Sequence, residues 1–374
     1  MNLLHTQEFY MARALQLAEQ GIYSTRPNPR VGCVLVNEAG AIVAEGWHQR
    51  AGQGHAEVNA LAALGGSAKG LIAYVTLEPC NHTGRTGPCS QALIDAGIRR
   101  VVFGMQDPNP RVAGSGLARL RDAGVEVQGP VLEAGCRALN PGFIKRMEQG
   151  LPWVRVKLGM SLDGRTAMAS GESQWITGPA ARADVQKLRA RSCAIVTGID
   201  TVLHDDAALT LRAGELQLPE PQCSLALANP PVRVLLDRRS RLPAGSRLLS
   251  AGGPVLLVQG EPETYADAAV PYSHLSLPEA QSDGGDLRAL LEALAARECN
   301  EVLVEAGSRL AGSFMAAGLV DELVLYMAPT LLGSSARPLL QLPLEQMAEQ
   351  RKLAITDMRA IGGDWRITAH PVGD

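Results

Sequence analysis

Thr76-Leu77-Glu78-Pro79-Cys80-Asn81-His82-Thr83-Gly84-Arg85-Thr86-Gly87-Pro88-Cys89 sits between two apolar patterns of different period. Before it, Leu71 to Leu77 is a continuous apolar run that reads as a strand. After it, Pro88 to Ala96 reads as a helix closed by Gly97. Upstream, His55-Ala56-Glu57 opens a second helical pattern, His55 to Leu64, that stops at Gly65. One strand end and two helix starts thus carry an imidazole and two thiols, a donor set that suits zinc. A hydrolytic zinc takes three protein ligands and keeps one position for water, whose pKa it lowers to roughly 7. A carboxylate that is not a ligand must then move the proton. Glu57, on the same helical turn as His55, has that chemistry. H-x-E followed by P-C and a second Cys is the pattern of zinc nucleobase deaminases. We therefore expect one zinc per chain on His55, Cys80 and Cys89, with Glu57 as the catalytic acid and base. Two features leave other readings open. Eight residues separate the cysteines, where many deaminases have two, and His82 offers a fourth ligand that would close the site as a structural zinc. Two core thiols that bind no metal are the third reading.

Residues 6–20 fit a helix, with Thr6 as cap and Gly21 as stop. Val31 to Val36, the turn Asn37-Glu38-Ala39-Gly40, and Ala41 to Trp47 read as a hairpin. Arg99 to Met105 is a strand, a helix follows at about Leu117 to Ala123, and a strand lies around Val125. Helix, hairpin, then helices alternating with strands predict an α/β sandwich whose sheet is partly parallel. Residues 128–152 hold Gly129-Pro130, Asn140-Pro141 and Gly150-Leu151-Pro152, so they read as mixed chain containing a boundary near 146–152. The expected domains are 1–148 and 149–374. In the second, Trp153 to Gly159 is a strand, Asp163-Gly164 a turn, and Pro179 to Arg191 a helix that Thr177 can cap. Strands follow at 193–197, 232–236, 254–258 and 301–305, helices near 286–297 and 308–317, and strands again within 319–329 and 352–370. This predicts a second α/β domain with its own sheet.

Composition excludes more than it identifies. The 374 residues are 46% hydrophobic, enough apolar material for two cores. A net charge of −3 and 4% aromatic residues argue against a nucleic-acid surface. No apolar run approaches the ~18 residues of a membrane span, and Met1 to Tyr10 lacks the core of a signal peptide. A cytoplasmic protein is expected, so cysteines 33, 80, 89, 136, 193, 223 and 299 should be thiols or metal ligands, not disulfides. The glycosylation pattern Asn81-His82-Thr83 is then a chance match. No G-x-G-x-x-G opens a helix after a strand, and Gly307 to Gly312 has Walker spacing but runs into Ser313-Phe314. What remains is a strand, Glu301 to Glu305, then Ala306-Gly307-Ser308 and a helix. Such a turn is a generic phosphate site, but from the residues alone a plain helix start is the favoured reading.

Thr76 to Cys89 closely resembles the metal loop of bacterial riboflavin-biosynthesis deaminase–reductases, in which the long gap between cysteines is the normal form. Asn28-Pro29-Arg30-Val31-Gly32, Asp107-Pro108-Asn109-Pro110 and Lys157-Leu158-Gly159-Met160-Ser161-Leu162-Asp163-Gly164-Arg165 resemble segments of the same family, in order and across nearly the whole chain. The resemblance implies an N-terminal cytidine-deaminase-like α/β/α sandwich and a C-terminal dihydrofolate-reductase-like α/β domain that uses NADPH. It implies deamination of 2,5-diamino-6-ribosylamino-4(3H)-pyrimidinone 5′-phosphate, then reduction of the ribosyl group to give 5-amino-6-ribitylamino-uracil 5′-phosphate. The partners implied are small pyrimidine ribosyl phosphates, not nucleic acid or membrane. Association into a homo-oligomer is also expected.

By the same resemblance Asn28 bonds the base, while His48, His82, Arg85, Asp107 and Asn109 complete the deaminase substrate set, with Arg85 able to fork onto phosphate. Turn chemistry alone also accounts for D-P-N-P, and a lone strand-end histidine for His48. For the cofactor the resemblance implies Gly159, Trp175, Thr201, Asp205 and the run Gly307, Ser308, Arg309, Leu310, Ala311, Gly312, Ser313. For the second substrate it implies Lys157, Ser173, Arg189, Leu209, Arg212 and Glu305, with Lys157 and Asp205 as candidates for steering sugar ring opening. Arg238, on the turn after 232–236, is a candidate for the 2′-phosphate of NADPH. Read from the residues alone, Arg189 belongs to a solvated helix face with Arg182, Lys187 and Arg191. Ser115 stands where many relatives carry Lys, and Ala207 where a proline is expected. A deaminase acting on tRNA, a chain with one active half, and a metal-stabilised scaffold with inactive sites are the competing readings.

Overall fold

Strand β1 (Gly32–Val36) is buried at all five positions, because it runs through the middle of a layered unit. Cys33 and Leu35 face one layer, Val34 and Val36 the other, the period-two alternation of a strand. The computed structural model describes residues 6–82, 87–110, 112–277 and 285–372. The chain divides into two units, Met1–Gly150 and Leu151–Asp374.

The first unit contains α1 (Gln7–Glu19), β1, β2 (Ile42–Trp47), α2 (Ala56–Ala62), β3 (Ile72–Val75), α3 (Cys89–Asp95), β4 (Arg100–Phe103), α4 (Ser115–Asp122), β5 (Glu126–Gln128), α5 (Glu133–Leu139) and α6 (Pro141–Gln149). Among the described residues its sheet has the order β2-β1-β3-β4-β5. β1 is antiparallel to both β2 and β3, whereas β3, β4 and β5 run parallel. One face packs on α2, α3 and α4 through Ala60, Leu93 and Leu120, the other on α1, α5 and α6 through Met11, Cys136 and Ile144. This is the expected α/β/α sandwich.

The second unit contains β6 (Trp153–Ser161), β7 (Arg165–Ala167), α7 (Pro179–Arg191), β8 (Ala194–Gly198), α8 (Ile199–Asp205), α9 (Ala213–Leu216), α10 (Gln222–Leu227), β9 (Val232–Leu236), α11 (Arg247–Ser250), β10 (Val255–Val258), β11 (Tyr272–Leu275), α12 (Gly285–Ala296), β12 (Glu301–Glu305), α13 (Ser308–Ala316), β13 (Glu322–Ala328), β14 (Arg337–Pro338), β15 (Leu353–Ile361) and β16 (Asp364–Pro371). Its sheet has the order β11-β10-β9-β8-β12-β6-β13-β16-β15 among the described residues. β6 runs parallel to β12 and β13. The hairpin β15–β16 adds antiparallel strands at one edge. α12 and α13 cover one face through Leu290, Leu291 and Phe314; α7 covers part of the other through Val185 and Leu188.

Two expectations change. The mixed stretch 128–152 is largely two helices, α5 and α6, hinged at Asn140. The Asn140 side chain accepts from the Arg30 N–H at 2.8 Å and donates to the Arg30 carbonyl at 2.8 Å. Pro141 is the first residue of α6, where its missing N–H costs nothing. Thr177 does not cap α7; that position is Gly178.

Candidate active sites

The turn after β3 and the starts of α2 and α3 meet at one point. His55 is the extended residue before α2 and makes no capping bond. Its ring faces two sulphurs, with Nδ1 3.3 Å from Cys89 Sγ and 3.6 Å from Cys80 Sγ. Cys89 opens α3 and is buried. The Cys89 N–H reaches Cys80 Sγ at 3.4 Å, and the Ser90 N–H donates to the Cys80 carbonyl at 3.1 Å. The three donor atoms lie within 4.8 Å of one another, and among the described residues no other His, Cys, Asp or Glu joins the group. His82 is exposed and stands outside it. The closed four-ligand arrangement therefore does not form, and three donors match a hydrolytic zinc. A hydrogen bond from the Cys89 thiol holds Cys80 below the ordinary thiol range, and the same bond pushes Cys89 up. One imidazole with an easily ionised thiol beside a second sulphur fits zinc chemically. None of the seven cysteines is in a disulfide.

Glu57 lies in the first turn of α2, buried, and is not a member of the donor group. Burial first, and the Cys80 charge second, push its carboxyl up to about 7. His48 is also buried, and burial lowers it to about 4. Its ring is therefore neutral. Nδ1 faces the Gly54 carbonyl at 3.1 Å, which can only accept, so Nδ1 carries the proton. Nε2 is left to accept from the Asn28 amide at 3.1 Å. That bond turns the Asn28 carbonyl oxygen the other way.

Asp107 is buried, and its Oδ1 accepts from the Asn109 N–H at 2.8 Å, so the D-P-N-P turn chemistry is present. Burial is the main cause that raises Asp107. Arg85 lies outside the described residues. Ser115 donates to the Val112 carbonyl at 2.7 Å, closing its own turn. Glu78, not singled out above, is buried with its carboxylate on four backbone N–H groups. An acidic residue closing an apolar strand run was the available signal.

In the second unit a cleft of about 910 Å³ opens over the C-terminal ends of β8 and β12 and the middle of β6, and the C-terminal edge of parallel α/β sheets is where they bind ligands. It is lined by Lys157, Gly159, Ser173, Trp175, Arg189, Thr201, Asp205, Leu209, Arg212, Glu305, Gly307, Ser308, Arg309 and Leu310, all of them expected. The solvated-face reading of Arg189 fails: its guanidinium forks onto Glu305 at 2.6 and 3.0 Å and donates to the Thr210 carbonyl at 3.0 Å. Lys157 Nζ is 3.9 Å from the same Glu305, because β6 and β12 pair Lys157 with Glu305 in register. Burial lowers Lys157. Gln174 donates to Asp205 Oδ1 at 3.2 Å, and the Arg182 guanidinium stacks 4.5 Å from the Trp175 ring. Arg182, expected on a solvated helix face, also lines the cleft, as do Arg247 and Arg337, which carried no signal in the sequence.

Four expected cofactor residues do not line it. Arg238 is exposed and pairs with Asp286 at 3.5 Å, because it follows β9, one strand beyond β8. Ala311 is fully buried in the core. Gly312 is glycine for packing, since a Cβ there would fall 2.3 Å from the Gln341 carbonyl oxygen. Ser313 bonds back to the Arg309 carbonyl. Helical rotation carries these three away from the cleft that Gly307 to Leu310 face.

The family model of the cytidine and deoxycytidylate deaminase zinc-binding region matches residues 4–105, and that of the RibD C-terminal domain matches residues 152–367. The chain is 49% identical to the riboflavin biosynthesis protein RibD of Escherichia coli, over 98% of this chain and 99% of that one. It is 48% identical to the Haemophilus influenzae RibD, over 97% of each. Acinetobacter baumannii RibD superposes with a TM-score of 0.89 at 44% identity, covering 98% of this chain and 99% of that chain. A Thermotoga maritima diaminohydroxyphosphoribosylaminopyrimidine deaminase/5-amino-6-(5-phosphoribosylamino)uracil reductase gives 0.84 at 30% identity, over 98% and 99%. These likenesses do not favour the tRNA alternative.

Proposed function

The chain belongs to the RibD family, bifunctional deaminase–reductases of riboflavin biosynthesis with zinc and NADPH as cofactors, and on that footing we propose the substrates and residues through which it acts. Residues 1–148 deaminate 2,5-diamino-6-ribosylamino-4(3H)-pyrimidinone 5′-phosphate. Residues 149–374 reduce the ribosyl group of the product to ribityl.

His55, Cys80 and Cys89 hold the zinc. Zinc bound there supplies Lewis acidity that makes water nucleophilic near neutral pH. Glu57, poised at about 7, takes the proton of the attacking water and gives it to the pyrimidine ring nitrogen; it then takes the proton of the hydroxyl added at the ring carbon and passes it to the amine, which leaves as ammonia while that carbon becomes a carbonyl. Asn28, with its amide fixed by His48, presents its carbonyl oxygen to the base. Asp107 and Asn109 hold the sugar hydroxyls, with His82 and Arg85 completing the pocket.

NADPH supplies the hydride for the second reaction. Thr201, Asp205 and the turn Gly307 to Leu310 seat it, supported by their shared cleft. Glu305 is held between Arg189 and Lys157 and orients the ribosyl group. Lys157 Nζ, its affinity for a proton reduced by burial, passes a proton to the sugar ring oxygen as the ring opens, and Asp205 assists. Arg189 and Arg212 face the phosphate.

The carrying observation is the group of three zinc donors with a buried, non-ligating Glu57 beside it. The test is metal analysis combined with ammonia release and NADPH consumption on the aminopyrimidine phosphate. One zinc per chain and both activities are expected. A metal-free protein inactive on this compound, or ammonia released from tRNA instead, would overturn the reading. We also infer a cytoplasmic homo-oligomer. The exposed apolar residues Leu353, Ile355 and Met358 on edge strand β15 support association, and no described helix is long and apolar enough to cross a membrane.

A further inference from the structure

We propose that Glu78 is a positioning residue of the deaminase pocket, whose buried carboxylate fixes the loop bearing Asp107 and Asn109 against the turn that carries Cys80. The inference rests on the deaminase reading above. Glu78 is 3% exposed. Its Oε2 accepts from the Asp107 N–H at 3.2 Å and the Gly114 N–H at 3.0 Å. Its Oε1 accepts from the Gly116 N–H at 3.0 Å and the Leu117 N–H at 3.4 Å. Three other buried carboxylates meet cations, Glu301 and Glu322 on Arg155 and Glu305 on Arg189. Among the described residues no cationic side chain pairs with Glu78. Its charge is met by backbone alone, and two of the four donors are free N–H groups of the first turn of α4, where an anion is favoured.

Both ends of this link are rigid. The Glu78 N–H donates to the Met105 carbonyl at 2.9 Å, extending the β3–β4 pairing up to the residue before Pro79. At the far end, a Cβ on Gly116 would lie 1.9 Å from the Pro79 carbonyl oxygen, so α4 rests directly on the backbone that leads into Cys80. Between them the loop closes on itself, with the N–H groups of Val112 and Ala113 both donating to the Asn109 carbonyl at 2.9 Å. One side chain therefore sets the spacing between the metal donors, where the base reacts, and the residues proposed to hold the sugar. Loss of that spacing weakens the grip on the ribosyl phosphate while sparing the metal.

The test is Glu78→Gln, which keeps the shape but turns an NH₂ toward two N–H donors. The expected result is one zinc per chain, nearly unchanged kcat for ammonia release, and KM raised about 10- to 100-fold, the worth of hydrogen bonds to a charged acceptor. If Glu78 acts through the loop, Glu78→Gln adds little to the KM increase of Asp107→Ala in the double variant. NADPH consumption on the deaminated substrate stays at the wild-type rate. Loss of zinc, a fall in kcat at constant KM, or KM effects that multiply would overturn the proposal. If Glu78→Gln does not fold, Glu78→Asp gives the same readings, and failure of both to fold assigns Glu78 to folding alone and also overturns it. A wild-type enzyme that releases no ammonia would instead refute the deaminase reading.

Discussion

Burial in the first turn of α2 is the main cause that pushes the Glu57 carboxyl up to about 7, the range that the proposed proton exchange needs. Replacing it with glutamine keeps the volume and removes the exchange. Glu57→Gln is expected to slow ammonia release about 10²- to 10⁴-fold and to leave NADPH oxidation on the deaminated substrate intact. Loss of both activities in a folded protein would mean the two sites are not separable. Arg155 tests a structural role. It is 1% exposed and bonds Glu322 at 2.9 and 2.7 Å and Glu301 at 3.2 Å. Arg155→Met takes the paired cation from Glu322, while Glu301 keeps Arg191 at 3.2 Å, and should cost about 3–5 kcal/mol, read from denaturant midpoints. At Asp163, a hydrogen bond from Ser161 lowers the carboxyl to about 2, with further bonds from the Leu332 and Gly333 N–H groups. A depressed folded pKa contributes stability above the unfolded value, about 3.9, which is lost as pH falls toward 2. The stability gap between wild type and Asp163→Asn should narrow between pH 5 and pH 3.

At the scale of elements, the hairpin β15–β16 ends the nine-stranded sheet with a strand that has no neighbour on its outer side among the described residues. Ile355 and Met358 are exposed there, and Trp365 on β16 is 42% exposed. Apolar side chains on an open strand edge favour pairing with another chain. Ile355→Lys with Met358→Lys should lower the oligomeric state in light scattering, and an unchanged assembly would move the interface elsewhere. Element type was legible wherever the pattern was strong. α7 occupies the expected Pro179–Arg191, and β9 and β12 match the expected 232–236 and 301–305. α5 and α6 were not legible because Gly129-Pro130 and Asn140-Pro141 punctuate helices here instead of loops. The clasp that settles Asn140 comes from Arg30, 110 residues away.

At the scale of the molecule, the metal donors and the reductive cleft lie in different units, Met1–Gly150 and Leu151–Asp374. Removing zinc with a chelator should therefore abolish ammonia release and spare NADPH consumption on the deaminated substrate. Parallel loss of both would show that the metal supports the whole chain.

His55, Glu57, Cys80 and Cys89 were identifiable in the sequence because zinc chemistry dictates residue types, and short-range pattern puts each at a strand end or helix start. The α/β layering followed from apolar periodicity for the same local reason. Only the tertiary structure decided that His82 stands apart from the donors, that Arg189 leaves the solvated face for Glu305, and that Arg238 and Gly312 do not line the cleft. It also disclosed Glu78. These outcomes depend on which strands lie side by side: β6 beside β12 sets Lys157 against Glu305, and β12 brings Glu305 to Arg189 across 116 residues. Sheet order joins residues that no local spacing relates.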